Sequence, residues 1–321
     1  MVKVSVIVPV YKVEAYIERC ARSLFEQTLD DMEYIFVNDC TPDNSLKVLK
    51  NVLSQYPQRE KQVQIVSHKE RKGSSCARNT GLAIASGKYI IYCDSDDYVD
   101  IRMYESMYET AVATDADIVW CDFYDVYPDR VFYHKTADTK KNHIEFLREY
   151  MSSWTSVCNM LVKKNLYLEH DLRFPENIMH REDFYMSVIL HFYASKVKKI
   201  NKALYYYNRS NPGSILSSAN GNTLNEVLFC DLSIIEFFKE KNIFSSFEKE
   251  MAWGVLRDKS DLVLNPKTYS KFLSIYPESH QYIWSCPLLN FKIKCIMWLV
   301  VNHLSVVASI INLIRGLLNR K

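Results

Sequence analysis

Residues Lys3–Pro9 read Lys-Val-Ser-Val-Ile-Val-Pro, β-branched and almost continuously apolar, with no polar face to turn towards water. A strand of this kind is stable when both of its faces are covered, as inside a parallel sheet flanked by helices. Similar runs recur at Tyr34–Val37, Val63–Ser67, Tyr89–Cys93 and Asp117–Phe123. Between them the apolar residues change to helical spacing, with Val13, Ile17, Cys20 and Leu24 in or just before Glu14–Thr28, then Leu46, Leu49, Leu53 and Tyr56. Thr41 offers an N-cap for that second helix, with Pro42 at its first position. Ser74–Ala85 and Tyr104–Thr114 read as further helices. The alternation predicts an α/β fold, a mostly parallel sheet with helices on both faces.

Beyond Tyr124 the pattern loosens into a helix near Asn142–Met151, a strand near Cys158–Val162, a helix over Glu182–Tyr193 and an extended Val197–Tyr207. A loop, Asn208–Asn222, precedes a region that reads as helical nearly to the end. The 48% hydrophobic content supplies a full core and excludes a disordered chain. A net charge of +2 gives no basic field for nucleic acid. The nine cysteines contain no CxxC pair and several lie in strand-like runs, which suggests buried reduced thiols in a cytoplasmic protein. The apolar run at the N-terminus is too short for a signal peptide.

The chemistry-bearing stretch is Tyr89-Ile-Ile-Tyr-Cys-Asp-Ser-Asp-Asp-Tyr98. A buried strand stops on Asp94, Asp96 and Asp97, and ionised carboxylates there are costly unless something positive sits among them. Mg²⁺ or Mn²⁺ prefers oxygen ligands and often bridges carboxylates to phosphates. The carboxyl ends of strands are also where open α/β sheets bind ligands. A solvated acidic turn capping the next helix is the plainer reading. Three of the seven glycines, Gly73, Gly81 and Gly87, fall just before this stretch. Arg71-Lys-Gly-Ser-Ser-Cys-Ala-Arg-Asn-Thr-Gly81 joins a turn, a helix start and cations, a combination that attracts phosphate. The small residues would equally allow tight helix–sheet packing, and the GxxxxGK[ST] spacing is absent.

Val6-Ile-Val-Pro-Val-Tyr-Lys-Val-Glu-Ala-Tyr-Ile17, Tyr34-Ile-Phe-Val-Asn-Asp39, Gly73-Ser-Ser-Cys-Ala-Arg-Asn-Thr-Gly81 and Asp94-Ser-Asp-Asp97 together resemble family 2 glycosyltransferases of the GT-A fold. His180-Arg-Glu-Asp-Phe184, opening a helix, resembles that family's Glu-Asp motif. The likeness covers about residues 1–215. It implies an inverting enzyme that moves a sugar from a nucleotide-sugar, usually a UDP-sugar, to an acceptor hydroxyl with a divalent metal ion, Mn or Mg. Pro9, Tyr11 and Glu14 match the loop lining the nucleoside pocket, and Asp39 the carboxylate that hydrogen-bonds the base. Gly73 and Arg78 match the segment beside the diphosphate. Asp94, with Ser95 beside it, matches the ribose or metal contact, and Asp96 the metal ligand. Asp183 matches the catalytic base, with Glu182 adjacent. Relatives often carry Tyr-x-Arg and a later Ser after the last strand; here the chain reads Tyr205-Tyr-Tyr-Asn-Arg-Ser-Asn-Pro-Gly-Ser214, a departure that puts Arg209 out of that register and leaves Arg209 or Ser214 as the loop contact closing over the donor.

Each residue also has a plainer role. Tyr11 could be a core aromatic, Asp39 a helix cap, Arg78 a surface helix residue, and Glu182 and Asp183 first-turn carboxylates answering the helix dipole. His180, a possible metal ligand, has no second ligand spaced near it and reads as a loop histidine. Adjacent helical positions point about 100° apart, so one member of the Glu182–Asp183 pair should face the reaction centre. The resemblance gives a GT-A domain over 1–215 (nucleotide-binding half 1–100, acceptor half 101–215); the helical pattern beyond it gives a helical extension over 216–286 and an amphipathic helix over 287–321. In the last segment, Cys295–Leu318 is mostly apolar, while Asn302, Ser305, Ser309, Asn312 and Asn319 draw a polar stripe flanked or punctuated by Lys292, Lys294, Arg315, Arg320 and Lys321. Its length suits a membrane span, but Asn302, His303, Asn312 and Arg315 favour a helix lying in the membrane surface. A packing helix is the alternative.

These features describe a glycosyltransferase acting peripherally at the cytoplasmic face of a membrane on a growing polysaccharide or lipid-linked glycan. A nucleotidyltransferase forming nucleotide-sugars would want a Gly-rich, Lys-containing loop after the first strand, where Val10-Tyr-Lys-Val-Glu14 has no glycine. A non-catalytic nucleotide-sugar-binding membrane scaffold would have no use for Asp96, Glu182 and Asp183.

Overall fold

The computed structural model describes residues 1–138, 143–152, 156–213 and 223–310. The chain divides into two compact units, Met1–Ala219 and Asn220–Lys321. In the first, β1 (Val4–Val10), α1 (Ile17–Phe25), β2 (Met32–Asn38), α2 (Ser45–Leu53), β3 (Val63–Ser67), α3 (Ser74–Ile84) and β4 (Tyr89–Tyr92) follow in that order. β1 lies between β2 and β4, parallel to both, and β3 adds to β2 in the same direction. Val4, Val6, Ile7 and Val8 of β1 are wholly buried, as the absence of a polar face predicts. The helices α1 and α2 each show a buried apolar stripe, Ile17, Cys20, Ala21 and Leu24 on the one and Leu49 and Val52 on the other.

The rest of this unit holds β5 (Tyr98–Val99), α4 (Met103–Thr114), β6 (Ile118–Val126), β7 (Val131–His134), α5 (His143–Ser152), β8 (Met160–Lys163), α6 (Lys164–Glu169), α7 (Glu182–Tyr193) and β9 (Val197–Asn208). The strand order is β3-β2-β1-β4-β8-β6-β9-β5, with β7 hairpinned onto β6. The predicted parallel pairing holds in the β3-β2-β1-β4 half. Beyond it the sheet is mixed, since β8 runs antiparallel to both β4 and β6, and β5 antiparallel to β9. β5, β7 and β8 are two to four residues long, too short to display a periodicity that sequence can reveal.

The expected start of α2 at Thr41 and Pro42 is corrected to Ser45. Thr41 Oγ1 accepts from Lys12 N–H at 2.8 Å, and Asp43 Oδ2 from Glu14 N–H at 3.0 Å. Glu14 in turn accepts from Asn44 N–H and Nδ2 at 2.9 and 3.0 Å, and Ser45 Oγ accepts from Val13 N–H at 3.0 Å. The would-be capping side chains instead zip together the loops that follow β1 and β2, and the helix begins only after them. All nine cysteines are free, and six of them are buried.

The second unit contains α8 (Thr223–Glu240), α9 (Glu248–Asp258), α10 (Tyr269–Ser274), α11 (Phe291–Val301) and a further helical stretch over 305–310. Leu256, Val263, Phe272, Ile283, Met297 and Val300 belong to its core. Lys259 is fully buried there; its Nζ donates to Ile275 O at 2.5 Å and to Phe272 O and Tyr276 O at 3.4 Å, closing the end of α10. Burial pushes its pKa down to about 7.

The single helix expected from Cys295 onward is broken within the described residues. Asn302 Nδ2 donates to Trp298 O at 2.8 Å, His303 turns left-handed at φ 61°, and Leu304 N–H returns to Leu299 O at 2.8 Å. A polar residue able to cap its own carbonyls followed by a left-handed position ends a helix. Asn312, Arg315, Asn319, Arg320 and Lys321 lie outside the described residues, as does Ser214. Among the described residues no helix is long and apolar enough to cross a membrane.

Gly81 lets α3 lie close against β1: a Cβ there would stand 2.4 Å from Cγ2 of the buried Ile7. Gly81→Ala must displace β1 or Ile7 and is expected to cost about 2 kcal/mol, the usual scale of overpacking. A shift of the chemical denaturation midpoint at constant slope measures it; an unchanged midpoint would mean that Ile7 yields freely.

Candidate active site

The Asp-rich turn leaves β4 at the carboxyl end of the sheet, and the tertiary structure gives its three carboxylates different work. Asp97 is buried and fixed to β9: its Oδ2 accepts from the Tyr205 hydroxyl at 2.5 Å and its Oδ1 from Asn208 N–H at 2.7 Å. The Tyr205 oxygen also lies 3.3 Å from Asp94 N–H, so one phenol ties the turn at two points. Burial, with Asp96 and Asp94 adding to it, pushes the Asp97 pKa well up. Asp96 Oδ2 accepts from Asn211 Nδ2 at 2.8 Å, and its pKa is raised by burial first and then by Asp94. Ser95 between them is buried.

Asp94 meets Arg78, which α3 carries inward. The Arg78 side chain is 4% exposed. Its Nη2 lies 2.9 Å from Asp94 Oδ1, while Nη1 lies 2.7 Å from Glu182 Oε1 and 2.9 Å from Asp183 Oδ1. The guanidinium also packs over the Phe174 ring at 5.4 Å. Burial works against its charge, but Asp183, Asp94 and Glu182 outweigh that and hold the pKa well above its ordinary value. One cation thus gathers carboxylates from the end of β4 and the start of α7, which settles the plainer reading of Arg78 as a surface helix residue against it.

Glu182 and Asp183 were expected to point apart, yet both reach the same Nη1. Glu182 carries one more methylene and lies deeper, its side chain 8% exposed against 22% for Asp183. Burial, with Asp183 adding to it against Arg78, raises Glu182 to about 8. Asp183 is also raised by burial, with Arg78 opposing; its Oδ2 accepts from Ser156 Oγ at 3.4 Å.

Asp39 does not cap the following helix. Its Oδ1 accepts from Lys72 N–H at 2.7 Å and from His68 Nδ1 at 2.8 Å, and its Oδ2 from Gly73 N–H at 2.8 Å. The carboxylate therefore folds the loop that enters α3. At the junction Gly73 adopts φ 88°, a left-handed conformation that favours glycine. Ser75 Oγ then donates to Ile178 O at 2.7 Å, and Asn79 exchanges hydrogen bonds with the Phe174 backbone at 2.8 and 2.9 Å. Tyr11, half-buried, receives the Arg71 guanidinium over its ring at 4.3 Å. Pro9 is half-buried at the end of β1, and Glu14 belongs to the zipped loops described above. Asp39 is thus joined to the Arg78 cluster through α3 itself. Arg209 Nε donates to Asp125 Oδ1 at 2.6 Å, and its guanidinium lies over Tyr207 at 4.1 Å. His180 is buried in the loop before α7.

Tyr205, Asn208, Asn211, Ser156 and Phe174 escaped the sequence reading. The run Tyr205-Tyr-Tyr207 announces an extended strand but does not say which phenol faces the carboxylates; pairing of β9 with β6 decides that.

Among the described residues no group of three or more His, Cys, Asp and Glu side chains forms a ready metal cage. Divalent cations bound with a substrate diphosphate take one or two protein carboxylates and complete their shell from phosphate and water. Asp94 and Asp96 offer such hard oxygens, and the upward push that burial and then Asp94 exert on the Asp96 pKa, with Arg19 opposing, marks negative charge that a cation would balance. The donor set fits a divalent ion shared with phosphate.

Residues 5–172 match the family described as Glycosyl transferase family 2. The chain is 36% identical over 221 residues to the uncharacterized glycosyltransferase EpsJ of Bacillus subtilis, covering 66% of this chain and 62% of that relative's length. It is 29% identical over 277 residues to the putative glycosyltransferase EpsH of the same organism, covering 82% and 76%. The fold is similar to S. aureus TarS 1-349, solved in complex with UDP-GlcNAc, at TM-score 0.66 and 18% identity, over 97% of this chain and 89% of that one.

Arg78→Lys retains a charge but cannot span the cluster, and the uncompensated buried carboxylates should cost about 3 kcal/mol of stability. Denaturant titration measures this, and a wild-type midpoint would deny the clamp its structural weight. Glu182 adds a pH signature. Its folded pKa, about 8, exceeds its ordinary value, so the folded chain holds the proton longer than the unfolded one. Its contribution is complete below pH ~4.5 and is lost as pH rises towards ~8. Relative to Glu182→Gln, wild-type stability should therefore fall across that window; parallel curves would contradict the shift.

Proposed function

Because the chain belongs to glycosyl transferase family 2, we propose that it transfers a sugar from a nucleotide-sugar, a UDP-sugar, to an acceptor hydroxyl with inversion at the sugar carbon. The single observation that carries this reading is the gathering of Asp94, Glu182 and Asp183 around the buried Arg78, beside the turn that holds Asp96. That arrangement supports a reading in which a cation bound with the diphosphate would lie next to a carboxylate able to accept a proton.

In this reading Asp183 is the base. It is the more open of the adjacent pair, and its raised pKa brings it towards the pH at which a base is most effective. As the acceptor oxygen bonds to the anomeric carbon, its proton passes to an Asp183 oxygen, the bond from that carbon to the diphosphate oxygen breaks, and the nucleoside diphosphate leaves with the electron pair. Arg78 orients Asp183 and keeps it from collapsing onto Glu182. Glu182, pushed to about 8, holds a proton for much of the time near neutrality and serves the cluster as a hydrogen-bond partner. A Mn or Mg ion held by Asp96, with Asp94 beside it, would supply charge to the departing diphosphate.

Pro9, Tyr11 and Glu14, with Asp39 and Gly73, form the nucleoside side, where the Asp39-bonded loop keeps Gly73 and the start of α3 in position. Ser95 completes the turn at the ribose, and Arg209 and Ser214 flank the donor from the segment after β9. The domain comprises residues 1–215, with the acceptor side in 101–215, the helical extension in 216–286 and the membrane-facing part in 287–321. The acceptor is a growing polysaccharide or a lipid-linked glycan, reached from the cytoplasmic face of a membrane.

Asp183→Asn is expected to lower sugar transfer at least ~100-fold while the protein stays folded and still gains thermal stability from its donor. Asp96→Ala should abolish metal-dependent transfer. Release of UDP from a panel of UDP-sugars provides the readout; undiminished turnover by the Asp183 variant would reject its role as base.

A further inference from the structure

Eight of the seventeen large apolar side chains that stand exposed among the described residues fall between Trp284 and Ile310. Helix α11 shows why they cluster. Ile293, Ile296, Met297 and Val300 fill the core of the second unit, while Phe291 and Trp298 project outward on the other face with Cys295 between them. Large aromatic side chains on the outer face of a helix depart from the usual partition, and Phe291 here is 72% exposed. The preceding loop extends the same surface. Trp284 and Leu288 are exposed, the Trp284 ring lies 6.1 Å from that of Phe291, and Lys294 Nζ donates to Trp284 O at 3.1 Å, holding the loop to the helix. Past the break at Asn302, Leu304, Val306, Val307 and Ile310 are exposed as well.

Along the sequence of this segment the charge has one sign. From Ser279 to Lys321 there is no Asp or Glu, whereas Lys292, Lys294, Arg315, Arg320 and Lys321 are all cations. Outward tryptophans and phenylalanine flanked by lysine are the side chains that settle at the boundary of headgroups and acyl chains, and cations without counter-charges favour anionic lipid.

We propose that the face formed by Trp284, Leu288, Phe291 and Trp298, with Lys292 beside them, docks on an anionic lipid surface. It lies in that surface and does not cross it. The inference deepens the membrane side of the reading above and requires no turnover to be tested.

The intact chain is to be co-sedimented with phosphatidylglycerol-containing vesicles and with pure phosphatidylcholine vesicles. Binding should prefer the former and weaken with salt, as screening of exposed charge requires. Phe291→Ser combined with Trp298→Ser should reduce the bound fraction by about tenfold or more, and Lys292→Glu should abolish the preference for the anionic lipid. Both variants alter exposed side chains and should melt like the wild type, which excludes misfolding as the cause. Unchanged vesicle binding by the double variant overturns the proposal. So does a wild-type dimer in analytical ultracentrifugation that the double variant dissociates, because the face would then belong to a second copy. UDP release with a water-soluble acceptor, read in parallel, separates the two readings: turnover without vesicle binding removes only the lipid surface, and vesicle binding without turnover removes only sugar transfer.

Discussion

A guanidinium taken out of water among three carboxylates can be held only if the segments carrying them arrive together. Arg78 comes from α3, Asp94 from the end of β4, and Glu182 and Asp183 from the first turn of α7. Removing water from any one of these charges is costly, and each is compensated chiefly by the others. The cluster therefore couples the parallel half of the sheet to the mixed half at the level of electrostatics. Asp96 and Asp97 adjoin it without a cation of their own in the cluster, and burial with Asp94 pushes both pKa values up. More carboxylates are gathered here than one guanidinium pairs, as a site shared with a divalent ion would have them.

The surroundings of the cluster are braced by groups that contribute no chemistry themselves. Asp39 takes two backbone N–H groups and the His68 ring, and so shapes the entry to α3 before Arg78 is reached. Tyr205 and Asn208 hold Asp97, so that the turn carrying Asp94 and Asp96 is fixed from its far side. The loops after β1 and β2 are joined by Lys12, Glu14, Thr41, Asp43 and Asn44.

The second unit solves a different problem. One face of α11 helps fill its core, while the outer face carries the exposed Phe291 and Trp298 beside Lys292 and Lys294. Lys259, by contrast, is a buried charge satisfied by carbonyls at the end of α10 and serves packing. Apolar residues left outside and a lysine kept inside are opposite departures from the usual partition. The lysine has its partners within the unit; Phe291 and Trp298 on the outward face of α11 stand exposed.

Strand β1, its neighbours and the helices between them were legible because continuous apolar runs and 3.6-residue spacing are local properties of the chain. The acidic turn at Asp94–Asp97 and the Glu-Asp pair at the start of α7 were legible for the same reason, as residue types in a fixed local order. The start of α2, the antiparallel entry of β8, the convergence of Glu182 and Asp183 on one nitrogen and the choice of Tyr205 over Tyr206 were not. Each depends on which residues distant in the chain become neighbours: Glu14 with Asn44, β4 with β8, Arg78 with α7, β9 with the Asp97 turn. Sequence by itself determined the elements and the inventory of charged groups. Tertiary structure alone decided which charges share a cation and which merely hold a loop, because burial and partner distance set the cost of a charge and neither is written in a local pattern.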